Sequence, residues 1–424
     1  MNGPHRKGSL FVIFLTVFID LLGFGIVLPL LPIYAKQFTL DESGWILGGL
    51  MASFSAMQFL FAPVWGRLSD RIGRRPVLLI GLSGSVIFYS MFGFAASAGS
   101  LTWIFVSRIG AGIAGATIPT AQAYIADSTT KENRTRGMAL IGAAFGLGFT
   151  FGPLLAVTAL LTSGDAEAGV SPWPGYSAAG LSAVALLLAI FKLPESLRPD
   201  SMPGGHRLFD LSSLREALSI PTIWALLLTS FMSVLSFANF ESILAFLLKV
   251  EREKGGFGFD LVKVLLFFAL LGFVHALGQG LVRRLAQKMS EPNLATLGAV
   301  MSAAGFLLLV ASIGRHSLGL LLTGMFVVAV GFAFIPASLQ AMISRRSDPA
   351  KQGGILGVAQ SLSSLARIIG HAVSFPLFYL AASMPFWVGT VFMLLAALLV
   401  TTIVRRGRDF DEVARAEPAL SSET

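Results

Sequence analysis

The chain has 424 residues, of which 54% are hydrophobic and only 13% charged, about half the charged share of a soluble globular domain. With a mean hydropathy of +0.76, this excludes a soluble enzyme or binding module and predicts an all-α polytopic membrane protein. The net charge of +8 would suggest nucleic acid only if its location were ignored, and the lack of cysteine excludes disulfides and thiolate metal sites.

Apolar runs of about 20 residues, enough to cross ~30 Å of hydrocarbon, predict twelve spans. They lie near 10–34, 45–65, 76–98, 101–125, 137–162, 173–193, 221–249, 262–282, 293–313, 317–343, 353–381 and 384–404. His5, Arg6 and Lys7 precede the first, which is too long for the apolar core of a cleaved signal peptide and contains Pro29 and Pro32; it reads as a retained span. Ten residues into it stands Asp20, about 15 Å of helical rise from one surface and so near mid-membrane. Between the second and third spans runs Gly66-Arg67-Leu68-Ser69-Asp70-Arg71-Ile72-Gly73-Arg74-Arg75. Four arginines and an aspartate cannot lie in hydrocarbon. The stretch is therefore expected to be a tight surface loop whose glycines turn the chain, with Asp70 the lone acid among cations.

On the fourth span Arg108, Gly112, Gly115, Pro119 and Gln122 follow one stripe at 3–4-residue spacing, the pattern of a cavity-lining face. Arg108 lies roughly 10 Å from the other surface, within reach of an ion pair with Asp20 if their helices adjoin. The fifth span holds Gly142, Gly146, Gly148, Gly152 and Pro153, small residues that allow close helix contact and a bend. Residues 194–220, rich in proline, glycine and charge, read as a linker. They divide the chain into six-span halves at 1–193 and 221–404, with a tail at 405–424. The halves echo each other weakly: Leu68, Arg71, Gly73 and Arg75 align with Leu281, Arg284, Ala286 and Lys288, and Gly152-Pro153 with Gly370-His371. Internal repeats of this kind build many secondary transporters.

In the second half the intramembrane ionisable residues are Glu241, His275, Arg367 and His371. Each is costly in a bilayer and therefore a functional candidate. Arg367 and His371 are one turn apart and could meet Glu241 in a cluster near the outer gate. His275, beside Gln279, reads as a packing or hydrogen-bonding residue. The segments between spans assign most of the 31 Lys and Arg to one side, leaving only Lys36, Lys249, Arg252, Lys254, Lys263 and Arg315 on the other. By the positive-inside rule both termini are expected in the cytoplasm and the chain in a plasma (inner) membrane.

Gly66–Arg75 followed by Pro76 resembles the signature loop between the second and third helices of the major facilitator superfamily. Asp20-Leu21-Leu22-Gly23-Phe24-Gly25 through Pro29 and Pro32 resembles the first helix of its drug:proton antiporters, the tetracycline-efflux group especially. Arg108-Ile109-Gly110-Ala111-Gly112 resembles that family's fourth-helix motif, and Gly146 through Gly152-Pro153 its antiporter motif. The resemblance implies alternating access by two pseudo-symmetric six-helix bundles. It makes the loop residues Gly66, Asp70, Arg71, Gly73, Arg74 and Arg75 an inner-gate latch engaging the other half, and Arg108 part of a proton-coupling relay. The sequence departs from the pattern in its third span, Val77–Ala98, which carries no acid, and in placing His371 where a Gly-Pro might stand.

These readings predict a proton-coupled exporter of amphipathic small molecules, working as a monomer in the bilayer. Asp20, Arg108, Gln122, Glu241, Arg367 and His371 would form its coupling site and cavity, without cofactor, metal or nucleic acid. Uptake or export of a metabolite is the nearest alternative, and a receptor or scaffold the alternative from another class. An enzyme would need a convergent catalytic cluster, and the intramembrane acids Asp20 and Glu241 fall in different halves. An ATP-driven pump would need Gly-x-x-x-x-Gly-Lys-[Ser/Thr], which is absent.

Overall fold

The computed structural model describes residues 5–38, 42–129, 134–165, 169–197, 222–347 and 352–407. Most of the expected linker and tail lies outside them. The described residues are helical, with no strand. In chain order the helices are α1 (His5–Val27), α2 (Leu31–Phe38), α3 (Trp45–Ile72), α4 (Arg74–Ala98), α5 (Leu101–Gly115), α6 (Ile118–Ser128), α7 (Arg134–Ser163) and α8 (Trp173–Lys192). They continue with α9 (Ile223–Lys249), α10 (Leu261–Leu285), α11 (Glu291–Arg315), α12 (Leu318–Arg346), α13 (Gln352–Leu380) and α14 (Met384–Thr402). Counting α1–α2 and α5–α6 as single spans, eleven among the described residues are long and apolar enough to cross a bilayer. The twelfth expected span is α13, 29 residues long and more polar.

Proline explains both broken spans. Pro29 interrupts the first between Val27 and Leu31. In the fourth, Pro119 has no N–H to give the carbonyl of Gly115, so the helix stops and restarts at Ile118. Gln58 Nε2 donates to that carbonyl at 3.2 Å and Trp65 Nε1 to that of Ile113 at 2.7 Å. Freed carbonyls at membrane depth need such partners.

The charged stretch after the second span is not a loop. α3 runs on through Ile72 and α4 begins at Arg74, so Gly73 alone turns the chain, with φ 106°. Gly66 is helical and faces open space. The reason is that charge excludes these residues from hydrocarbon but does not prevent a helix from continuing into water. The echoing connection after α10 is longer, passing through Ala286–Met289 to the N-cap Ser290.

Two compact units partition the chain. One comprises Met1–Leu208, Glu241–Ala276 and His371–Ala382; the other comprises Phe209–Phe240, Leu277–Gly370 and Ser383–Thr424. The division therefore cuts α9, α10 and α13. Within the first unit α7 has two small faces. On one, a Cβ at Gly25 of α1 would lie 2.5 Å from the Gly148 oxygen, and one at Gly152 2.8 Å from Gly25. On the other, a Cβ at Gly272 of α10 would lie 2.6 Å from the Phe149 backbone, and Gly146 meets Ala276. Backbones this close exploit the absent side chain. Gly48 of α3 likewise seats on the backbone of Ala372 in α13.

In the second unit Gly370 of α13 packs on Leu235, Ala238 and Asn239 of α9, repeating the seating of Gly152 on Leu22 and Gly25. α9 buries Thr229, Ser233 and Ser236, each hydroxyl bonded to a carbonyl one turn back at 2.7–2.8 Å, while Asn239 Nδ2 donates to Pro385 O of α14 at 2.9 Å. The buried Arg346 gives Nη1 to Thr222 and Nη2 to Val404 O, tying together the ends of α9, α12 and α14.

Candidate functional site: a buried polar cluster among the first spans

Residues on one face of α1 organise the site. Asp20 is half-buried; Ser182 of α8 donates to its Oδ1 at 3.4 Å, and Ser85 of α4 is its other hydroxyl partner. One turn on, Gly23 leaves room for the ring of Tyr89, also of α4: a Cβ there would stand 2.9 Å from Tyr89 Cε2. Tyr89 lies within electrostatic reach of both Asp20 and Arg108.

Phe24, on the same face, packs against Phe54 of α3 with centroids 4.9 Å apart and the rings tilted by 33°, and meets Phe149 of α7 edge-on at 5.7 Å. Arg108 lies against this aromatic group, 4.4 Å from the Phe54 centroid and 5.8 Å from that of Phe24. It is 2% exposed, and its Nε and Nη1 have no hydrogen-bond partner. A cation over a desolvated ring gains about 2 kcal/mol, less than the several kcal/mol an ion loses on leaving water.

The ion pair expected between Asp20 and Arg108 is not formed. Neither residue joins a salt bridge among the described residues. Asp20 turns instead to the hydroxyls of α8 and α4. The fourth-span stripe is divided as well. Gly112 packs on Phe54 and Met57 and Gly115 beside Gln58, so both serve contact with α3, while Gln122 is exposed on α6. The third span supplies Ser85 and Tyr89 rather than an acid. Neither residue type stands out in an apolar helix, and nothing in the sequence flags Ser182.

A second cluster surrounds the Gly73 turn. Arg74 pairs with Asp70 and, at 3.2 Å, with Asp127 of α6, and donates to Ser69 at 2.6 Å. The Glu195 carboxylate accepts the backbone N–H groups of Arg74 and Arg75 at 2.9 and 3.1 Å, capping α4 where its dipole favours an anion. Arg75 reaches Ile190 O at 2.7 Å; Arg71 is exposed. Asp70 is thus engaged by Arg74 within the first unit. Glu195, at the head of a linker with no evident motif, is a further residue that the sequence does not flag.

Of the later candidates, His371 is buried with Nδ1 3.3 Å from Ser55 Oγ of α3. Glu241 and Arg367 are half-buried on α9 and α13, and His275 half-buried on α10.

Long apolar helices with ionisable groups held among them define an integral membrane protein. The chain belongs to the Major Facilitator Superfamily, whose family model matches residues 13–371. It is 36% identical over 407 residues to the class C tetracycline resistance protein of Escherichia coli, covering 95% of this chain and 97% of the relative. The crystal structure of the human organic anion transporter MFSD10 superposes with a TM-score of 0.70 at 28% identity, covering 94% of this chain and all of that one. A D-xylose–proton symporter shares the fold with a TM-score of 0.74 at 17% identity, covering 94% and 97% of the two chains. The protein is a membrane transporter.

Proposed function

We propose that this transporter is a proton-coupled antiporter that exports amphipathic small molecules. Bundles 1–193 and 221–404, joined by 194–220, would alternate access to a central cavity across the plasma membrane, with both termini cytoplasmic and the monomer as the working unit. The observation that carries this reading is that Asp20 and Arg108 share one enclosed cluster without pairing. A carboxylate held by hydroxyls can gain and lose a proton without breaking an ion pair. Antiport requires substrate and proton to exclude each other. A cationic or hydrogen-bond-donating group of the substrate competes with the proton for Asp20, while Phe24, Phe54 and Phe149 supply apolar contact.

Gln122, Glu241, Arg367 and His371 complete the cavity in this reading. In the antiporter motif of α7, Gly146, which meets Ala276 of α10, supplies the surface along which the bundles move, Gly152 seats α7 on α1 and Pro153 permits a bend, while Gly66–Arg75 with Asp70 forms the latch. The unpartnered nitrogens of Arg108, together with the likeness to an organic anion transporter, favour one second reading: export of organic anions held by Arg108.

The test is proton flux in inverted membrane vesicles with a pre-formed pH gradient, on addition of a panel of hydrophobic cations, zwitterions and organic anions. Proton release evoked by cations or zwitterions supports antiport at Asp20, and release by anions alone supports the second reading. No response to any member of the panel contradicts both.

A further inference from the structure

We propose that a groove between α11 and α14 in the second unit binds an anionic phospholipid. The groove has a volume of about 360 Å³ and is lined by none of the residues of the Asp20–Arg108 cluster. Along it Pro292, Asn293, Leu297 and Val300 of α11 face Thr401 of α14 and Arg405, which lies in the short turn just beyond that helix. Its chemistry is graded. Asn293 and Arg405 lie where both helices end, while Leu297 and the half-exposed Val300 carry the floor onward. From Asn293 to Val300 the helix rises about 10 Å, the step from headgroup to acyl chain.

Charge selects the occupant. The acid nearest the head of α11, Glu291, is engaged by Arg345 at 2.7 Å. Arg405 is exposed and has no acidic partner among the described residues. The N-cap Ser290 makes no side-chain capping bond, so the positive pole of α11 adds to the same field. The hydroxyls of Thr296 and Thr401 bond back to their own helices at 2.8 and 3.0 Å and do not compete. Basic pockets between spans at a membrane surface suit anionic headgroups, and the apolar continuation suits a lipid rather than free phosphate.

Native mass spectrometry of the full chain with phosphatidylglycerol or phosphatidylcholine tests this. Wild type should retain phosphatidylglycerol preferentially. Arg405→Gln should lower that retention about five-fold, the equivalent of about 1 kcal/mol per basic residue at the surface, and leave phosphatidylcholine unchanged. Val300→Trp should reduce both by filling the groove. Equal retention of phosphatidylglycerol by wild type and Arg405→Gln overturns the proposal, as does equal retention of the two lipids by wild type. Displacement of the lipid by inorganic phosphate alone would overturn the choice of occupant.

Discussion

A guanidinium held against two phenylalanine rings, with two nitrogens lacking hydrogen-bond partners, depends on shape as well as charge. Lysine keeps the charge but has no planar face to lay on Phe54. Arg108→Lys should therefore raise the substrate KM in counterflow by about ten-fold while the protein remains folded. An unchanged KM would show that charge alone is used. That Asp20 and Arg108 are candidates was legible because ionisable groups are rare and costly in spans. How they are held was not. Ser85, Tyr89 and Ser182 are ordinary in an apolar helix, and Phe24 and Phe54 are two of 35 phenylalanines. Only the fold shows which hydroxyls meet the carboxylate and which rings meet the guanidinium.

Helix contacts rest on missing side chains. Gly25 and Gly152 let α1 and α7 touch backbone to backbone, and no rotamer can relieve an added side chain there. Gly25→Val should cost about 1–3 kcal/mol through overpacking, read as a lower thermal midpoint in detergent. An unchanged midpoint would mean that the two helices can separate freely. The number of spans was legible from apolar run length, and proline marked both broken ones. The Gly66–Arg75 stretch misled because its charge signals depth, not secondary structure. Water at the membrane edge solvates arginines on a helix as readily as on a loop, and Gly73 alone is needed for the turn. The glycines of α7 suggested close contact, yet among 45 glycines the partner helix cannot be read from spacing.

At the scale of the whole molecule, α3 meets the last turns of α13 through Gly48 and Ala372 and through Ser55 and His371, and Lys36 of α2 lies over the Tyr379 ring of α13 at 5.2 Å. A transporter that alternates access must part such a contact in each cycle. Gly48→Leu should hold it open. In this cysteine-free chain, a cysteine introduced at the buried Ser55 reports the state directly. Gly48→Leu should speed its labelling by a membrane-impermeant maleimide at least about ten-fold, the population shift of about 1.4 kcal/mol. Equal labelling rates would show that the contact is no gate. The sequence echo of Gly152 in Gly370 has a local counterpart, because each glycine seats on the backbone of another helix, Gly152 on α1 and Gly370 on α9. The Glu–His–Arg grouping expected around His371 omitted Ser55, since a hydroxyl more than 300 positions away leaves no mark in local sequence.

Coupling is likewise a property of the whole cycle, and Asp20→Asn in inverted vesicles tests it most directly. Asparagine keeps the size of the side chain and its bonds to Ser182 and Ser85 but cannot exchange a proton. The expected result is loss of substrate-evoked proton release and of gradient-driven accumulation, with substrate exchange across the membrane retained. Undiminished proton release in Asp20→Asn would contradict the account.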